Sequence, residues 1–218
     1  MKNENKQTYY NQCELKYKIN EKYNQMQILQ IKENNRIEEV NEIKDVKLLF
    51  IKPYCVPPEK ANPRIKKPAV FFNIFLIDKN NKRIVVTTYP NKWTNTILAI
   101  FLNEKFDINK FFTIEKTRVW ETWWDKLAIK QDGKEIPWAY KKDGIIKLNK
   151  EYNNLKELTT DQECFNGEFI KYKIKWVDNW ASFLLYDQLL NKKWVKNIWD
   201  INKEKYFIID KEIFKKKK

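Results

Sequence analysis

The sequence predicts a mainly β fold with added helices, an α+β class, and three observations carry that prediction. Runs rich in branched and aromatic residues recur at Val70–Ile77, Arg83–Tyr89 and Glu168–Val177, and such residues suit a pleated, half-buried surface. Short turn signals stand between runs of this kind: Asp132-Gly133, Asp143-Gly144 and Asn166-Gly167. One longer stretch, Asp178 to Ile198, carries Trp180, Phe183, Leu184, Leu190, Trp194 and Ile198 as the buried side of a helix.

In chain order, residues 1–45 read as an N-terminal extension with a polar start, then a short helix and strands between Glu14 and Asp45. Leu15, Ile19, Tyr23 and Met26 recur at helical spacing, whereas Met26–Ile31 alternates and Glu33–Arg36 suits a turn before Ile37–Ile43. Val46–Ile51 is a strand and opens a β core over residues 46–148. Five of the seven prolines fall in Pro53–Pro68, an extended basic loop carrying Lys60, Arg64, Lys66 and Lys67. Val70–Ile77 and Arg83–Tyr89 then pair across a four-residue loop, Lys79–Lys82. That register puts Phe72, Ile74, Leu76, Val85, Thr87 and Tyr89 on a core-facing side. Phe71, Asn73, Phe75, Val86 and Thr88 share the other side, which is either buried under more chain or open to a ligand. Trp93-Thr94-Asn95 caps a short helix, Thr96–Leu102, and Phe111–Lys116 is a strand. Leu127–Lys130 and Lys134–Trp138 form a second hairpin, with Pro137 ending its return strand or placing it at an edge. Residues 149–214 add a strand, a helix and a last strand, Tyr206–Ile209, to the same domain, and 215–218 form a basic tail.

Charge and composition bound the function. Lys and Arg number 43 against 29 acids, a net +14, which points to a polyanionic partner. Aromatic residues make up 15% of the chain, nine of them Trp. Lysines that track phosphates and rings that stack on exposed bases are what a single-stranded nucleic acid needs. There is no histidine, which removes Ser-His and Cys-His pairs, histidine bases and HExxH zinc sites. Three glycines, all in turn signals, leave no phosphate loop and no dinucleotide fingerprint. Glu121 and Asp125 stand four apart, a spacing that serves an ordinary helical face as well as a metal. The reading is therefore non-enzymatic, without cofactor or metal. Three scattered cysteines, Cys13, Cys55 and Cys164, suggest a reducing compartment such as the cytoplasm. No run of apolar residues is long enough to span a bilayer, and the start of the chain does not resemble a signal peptide.

The candidate nucleic-acid-binding residues follow from the same logic. Phe71, Asn73 and Phe75 lie on the second face of the first hairpin, with Arg83 and Trp93 close to it in sequence. Trp120, Trp123 and Trp124 stand in a charge-flanked run, where three indoles compete for burial within five residues. Lys171, Lys173 and Lys175 alternate with Ile170, Tyr172, Ile174 and Trp176, which makes them either a solvated face or a phosphate track.

The order of elements resembles the OB-fold of single-stranded DNA-binding proteins. The match runs through Val46–Ile51, the hairpin Val70–Tyr89, the excursion Trp93–Leu102 and the strand Phe106–Ile114. The hairpin Leu127–Trp138 would close the barrel. The resemblance covers about half the chain and is carried by the element pattern; the first strand lacks the usual glycine. It implies a small Greek-key barrel gripping an oligonucleotide across one face, here with extra helices at both ends of the chain. The expected function is single-stranded DNA binding in replication of a phage or extrachromosomal element, with RNA an allowed ligand and a homo-oligomer an allowed state. The alternative is a structural RNA-binding protein of an organellar or ribosome-like assembly, which would sit in an organelle matrix.

Overall fold

The computed structural model describes residues 8–23, 25–56, 69–119, 124–139, 159–164, 168–173 and 181–207. A short helix, α1 (Thr8–Asn11), leads into β1 (Leu15–Lys22), β2 (Gln25–Ile31), a 3₁₀ turn at Glu33–Asn35, β3 (Ile37–Val40) and β4 (Glu42–Val56). Then come β5 (Ala69–Asp78), β6 (Arg83–Thr88), α2 (Lys92–Phe101), β7 (Phe112–Val119), β8 (Trp124–Gln131) and β9 (Lys134–Glu135). The described chain ends with β10 (Thr159–Cys164), β11 (Glu168–Lys173), α3 (Ala181–Leu190) and α4 (Lys193–Tyr206). Nine strands make one mixed sheet in the order β3-β2-β1-β6-β5-β4-β7-β8-β9, and β10 pairs with β11. The α+β class stands.

Several elements differ from the sequence expectation, each for a local reason. Glu14 to Asp45 is strand from Leu15 onward, because Leu15, Tyr17 and Ile19 alternate with Lys16 and Lys18 and this period of two prevails. The short helix lies upstream, at Thr8–Asn11. Asn91, not the Trp93–Asn95 segment, caps α2: its side chain accepts from the N–H groups of Trp93 and Thr94. The helix expected as far as Ile198 is two helices, broken at Asn191 and Lys192, and Tyr206 belongs to the second. Thr159 to Cys164 forms β10 and pairs antiparallel with β11. The Asp132-Gly133 turn has both residues at positive φ, 50° and 73°, as a type I′ hairpin requires.

The β5–β6 hairpin is shifted by one residue. Ile77 pairs with Arg83 and Phe75 with Val85. The Asp78 N–H donates to the Lys82 carbonyl and the Asn81 N–H to that of Asp78, leaving three loop residues, with Asn81 at φ 62°. A left-handed third residue is the usual way such a loop closes. The shift moves every side chain of β6 to the opposite face. Phe72, Ile74, Leu76, Ile84, Val86 and Thr88 share one face, and Asn73, Phe75, Ile77, Arg83, Val85 and Thr87 the other.

Helices cover the first of these faces. Tyr186 of α3 meets Phe72 edge-on at 5.7 Å, and Thr88 hydrogen-bonds Thr94 of α2 at 2.9 Å. Ser182 donates to Asn95 Oδ1 at 2.5 Å and ties α3 to α2. The outer edge of β4 is capped by side chains. Asn202 of α4 donates to the Leu49 carbonyl at 2.9 Å, and Tyr186 to that of Ile51 at 3.3 Å. Pro53 shares the parity of these residues, so its missing N–H faces this covered edge, where proline is tolerated.

The two ends of the sheet come together. Asn41 alone separates β3 from β4, and its carbonyl accepts the Lys116 N–H of β7 at 2.7 Å. The Met26 N–H of β2 donates to Asp125 Oδ2 of β8 at 2.7 Å. In the stretch expected to form a Greek-key barrel, β4 pairs with β5 and β7, β5 with β6, and β7 with β8, all antiparallel. These strands belong instead to one nine-stranded mixed sheet, in which β1 takes the outer edge of β6 in parallel.

Candidate nucleic-acid interface

The second face of the central strands divides in two. Toward Phe50 and Phe75 it is sealed. These rings stack at 4.5 Å, and Tyr9 and Phe207 close over both with centroid distances between 5.2 and 5.9 Å. Beyond them lies a row of rings on three neighbouring strands. Tyr54 of β4 stands opposite Phe71 of β5 with centroids 4.9 Å apart. Phe71 meets Tyr89, just after β6, edge-on at 6.2 Å. Exposure rises along the row: Tyr54 is buried, Phe71 partly buried, and Tyr89 39% exposed. Between the row and the sealed half, the Thr87 hydroxyl donates to Asn73 Oδ1 at 2.8 Å. The Asn73 amide is thereby held in one orientation.

A line of cations flanks the rings. Register puts Lys16 beside Val85 and Lys18 beside Thr87, so both lysines share this face, and Lys22 follows by strand parity. Lys18 Nζ lies 5.1 Å from the Tyr89 ring centre, Lys16 Nζ 4.9 Å from that of Tyr10, and Lys22 Nζ 5.4 Å from that of Tyr23. Toward the sealed half, Lys52 of β4 pairs with Asn73, and its Nζ stands 5.6 Å from the Tyr9 ring centre. Lysines two apart on a strand repeat about every 6.6 Å, near the phosphate repeat of an extended single strand. These residues were missed in the sequence because Leu15, Ile19 and Tyr23 also fit a helical stripe. The alternation Leu15-Lys16-Tyr17-Lys18-Ile19 was the available signal.

The residues expected from sequence fare differently. Phe71 lies on the face and is partly exposed, whereas Asn73 shares its parity but is buried, with its amide oxygen taken by Thr87. Phe75 is 2% exposed and belongs to the sealed half. Trp93 is buried at 6% in α2 with Lys92 Nζ 4.7 Å from its ring centre. Arg83 shares the face but its guanidinium is engaged, with Nη2 and Nε donating to Glu14 and Nη1 to the Tyr206 carbonyl at 3.4 Å. Trp124 opens β8, and Lys171 and Lys173 lie on β11 opposite Asp161 and Thr159. Trp120, Trp123 and Lys175 fall outside the described residues.

Burial, with the Glu14 carboxylate adding to it, pushes the Cys13 thiol up to about 12, so the sulfur is a poor nucleophile near neutrality. Among the described residues there is no cluster of three or more metal-ligating side chains, and no helix is long and apolar enough to cross a membrane. The chain matches no family model, no curated protein and no solved structure.

Proposed function

We propose that the protein binds single-stranded DNA and catalyses no reaction. The observation that carries the reading is the aromatic row Tyr54–Phe71–Tyr89 with Lys18 against Tyr89 and Lys52 two residues from Tyr54 along β4. Bases stack on the accessible rings, and lysines take the phosphates. Support also comes from element order, since β4, β5, β6, α2, β7 and β8 follow the succession of the barrel that the sequence resembles. In that reading the row lies on the outer face of the barrel wall, and the β1–β2 hairpin widens the wall by two strands.

The test is a comparison of oligothymidine, the corresponding duplex and a single-stranded RNA by fluorescence anisotropy at two salt concentrations. Tight binding to the single strand, weaker binding to the duplex and a steep salt dependence are expected. Equal affinity for duplex and single strand would overturn the reading. A clear preference for RNA would move the protein to the RNA-binding alternative.

A further inference from the structure

The β1–β2 hairpin ends on an unusual residue. Lys22 pairs with Gln25, so Tyr23 is the first of two loop residues. Its φ is 51°, the left-handed backbone that such a tight loop demands and that Asn or Gly normally supplies. A tyrosine there is strained, because its Cβ crowds the following carbonyl oxygen. It gains no burial in return, since Tyr23 is 86% exposed, the highest value among the large hydrophobic side chains described. A position that gives up turn stability to hold an exposed ring out in water signals a use for the ring.

The ring also lies in line with the interface. Tyr89 follows Thr88, the partner of Ile19 in the parallel register, so Tyr23 stands three residues beyond it along β1, about 10 Å at strand rise. Lys18 stands at the first ring, Lys22 at the second, and Asn20 occupies the same face between them. An extended strand that matches the lysine repeat of about 6.6 Å covers that distance in about two nucleotides.

Building on the proposed function, we infer that the bound single strand turns at Tyr89 and runs along β1 to the hairpin tip. There Tyr23 stacks on a base and Lys22 takes the adjoining phosphate. The ligand class is a single strand long enough to cover both stations, held by stacking and charge at each.

The experiment measures affinity and thermal melting of the full chain for Tyr23→Asn, Tyr23→Trp and Tyr89→Ala. The probe is oligothymidine of about 20 nucleotides, longer than the site of one domain of this kind. Tyr23→Asn relieves the turn and removes the ring, so it should melt at or above the parent temperature while binding ~5- to 150-fold more weakly. Tyr23→Trp should bind at least as well as the parent. Opposite movement of stability and affinity separates a stacking ring from a structural one. Tyr23→Asn that binds like the parent overturns the hairpin path, as does Tyr23→Asn that melts lower and binds weakly. If Tyr89→Ala loses affinity in either case, the proposed function survives; if neither position matters, that function fails as well.

Discussion

The Lys18 ammonium lies 5.1 Å from the centre of the Tyr89 ring, and this contact joins the cationic edge of the interface to its aromatic row. The two residues reach each other because β1 lies parallel to β6 and pairs Lys18 with Thr87. Such a cation–ring contact at a partly exposed site contributes about 0.5–1 kcal/mol. It ties the Tyr89 ring to the β1 edge of the sheet.

Tyr89 is 39% exposed, so its truncation should separate binding from folding. Tyr89→Ala is expected to cost about 1–3 kcal/mol of oligonucleotide affinity and to leave the melting temperature nearly unchanged. Phe50→Ala serves as the contrast. That ring is fully buried, and its loss should cost about 3–5 kcal/mol of stability. Chemical denaturation and anisotropy on each variant decide between them.

Charge should be legible in the salt dependence. Replacing Lys16, Lys18 and Lys22 by Gln is expected to lower the log–log salt slope by about 0.7 for each phosphate that is no longer neutralised. The same replacement of Lys171, Lys173 and Lys175 tests whether β11 contributes a second track. A slope that moves only with the second set would shift the phosphate path away from β1.

Much of the fold was readable because its strands are locally consistent. Val70–Ile77 and Arg83–Tyr89 carry branched and aromatic residues between clear turn signals, and β5 and β6 formed where expected. The face of each residue was less legible, since it hinges on whether Lys82 belongs to the loop or to the ladder. One residue of loop length decided that Tyr89 stands beside Phe71 and Asn73 rather than on the core side. Phe71 and Asn73 share the face expected of them because they lie on β5, whose own parity does not depend on the loop, although Asn73 is buried there. Phe75 shares their parity, yet it is sealed by Tyr9 and Phe207, residues 66 and 132 positions away in sequence. No local pattern reports such a cover. Arg83 likewise looks available until Glu14 and the end of α4 are brought against it.

The Glu14–Arg83 pair gives a pH dependence with a defined sign. Burial acts to raise the Glu14 carboxyl, but hydrogen bonds from the Arg83 side chain and backbone outweigh it, and the net shift is downward from 4.5. A group depressed in the folded state contributes stability above its unfolded value and loses it as pH falls through the folded value. Glu14→Gln should therefore be less stable than the parent at neutral pH, by about 1 kcal/mol or less for a partly exposed pair. The gap should close below 4.5. Urea unfolding of both proteins across this range is the measurement, and a gap that persists at low pH would refute the role given to the carboxylate.

The last prediction concerns the junction where the ends of the sheet meet. The Asp125 side chain is 1% exposed, and Lys116 Nζ stands 3.8 Å from its Oδ2 while also reaching Glu39 Oε1 at 3.1 Å. Oδ2 accepts the Met26 N–H from β2, whereas Oδ1 is buried with no hydrogen-bond partner among the described residues. One carboxylate thus ties the first hairpin of the chain to the hairpin after α2. Asp125→Ala removes the acceptor and strands the Met26 N–H in the interior, a change expected to cost about 1–3 kcal/mol. Asp125→Asn keeps an amide oxygen for that N–H and gives up only the charge toward Lys116, which retains Glu39, so it should cost less. Because Met26 and Lys22 belong to the same hairpin, loosening this tie should also weaken binding at the hairpin tip more than at Tyr89. Denaturant unfolding ranks the two variants, and equal losses for Ala and Asn would mean that charge, not the hydrogen bond to Met26, holds the ends of the sheet together.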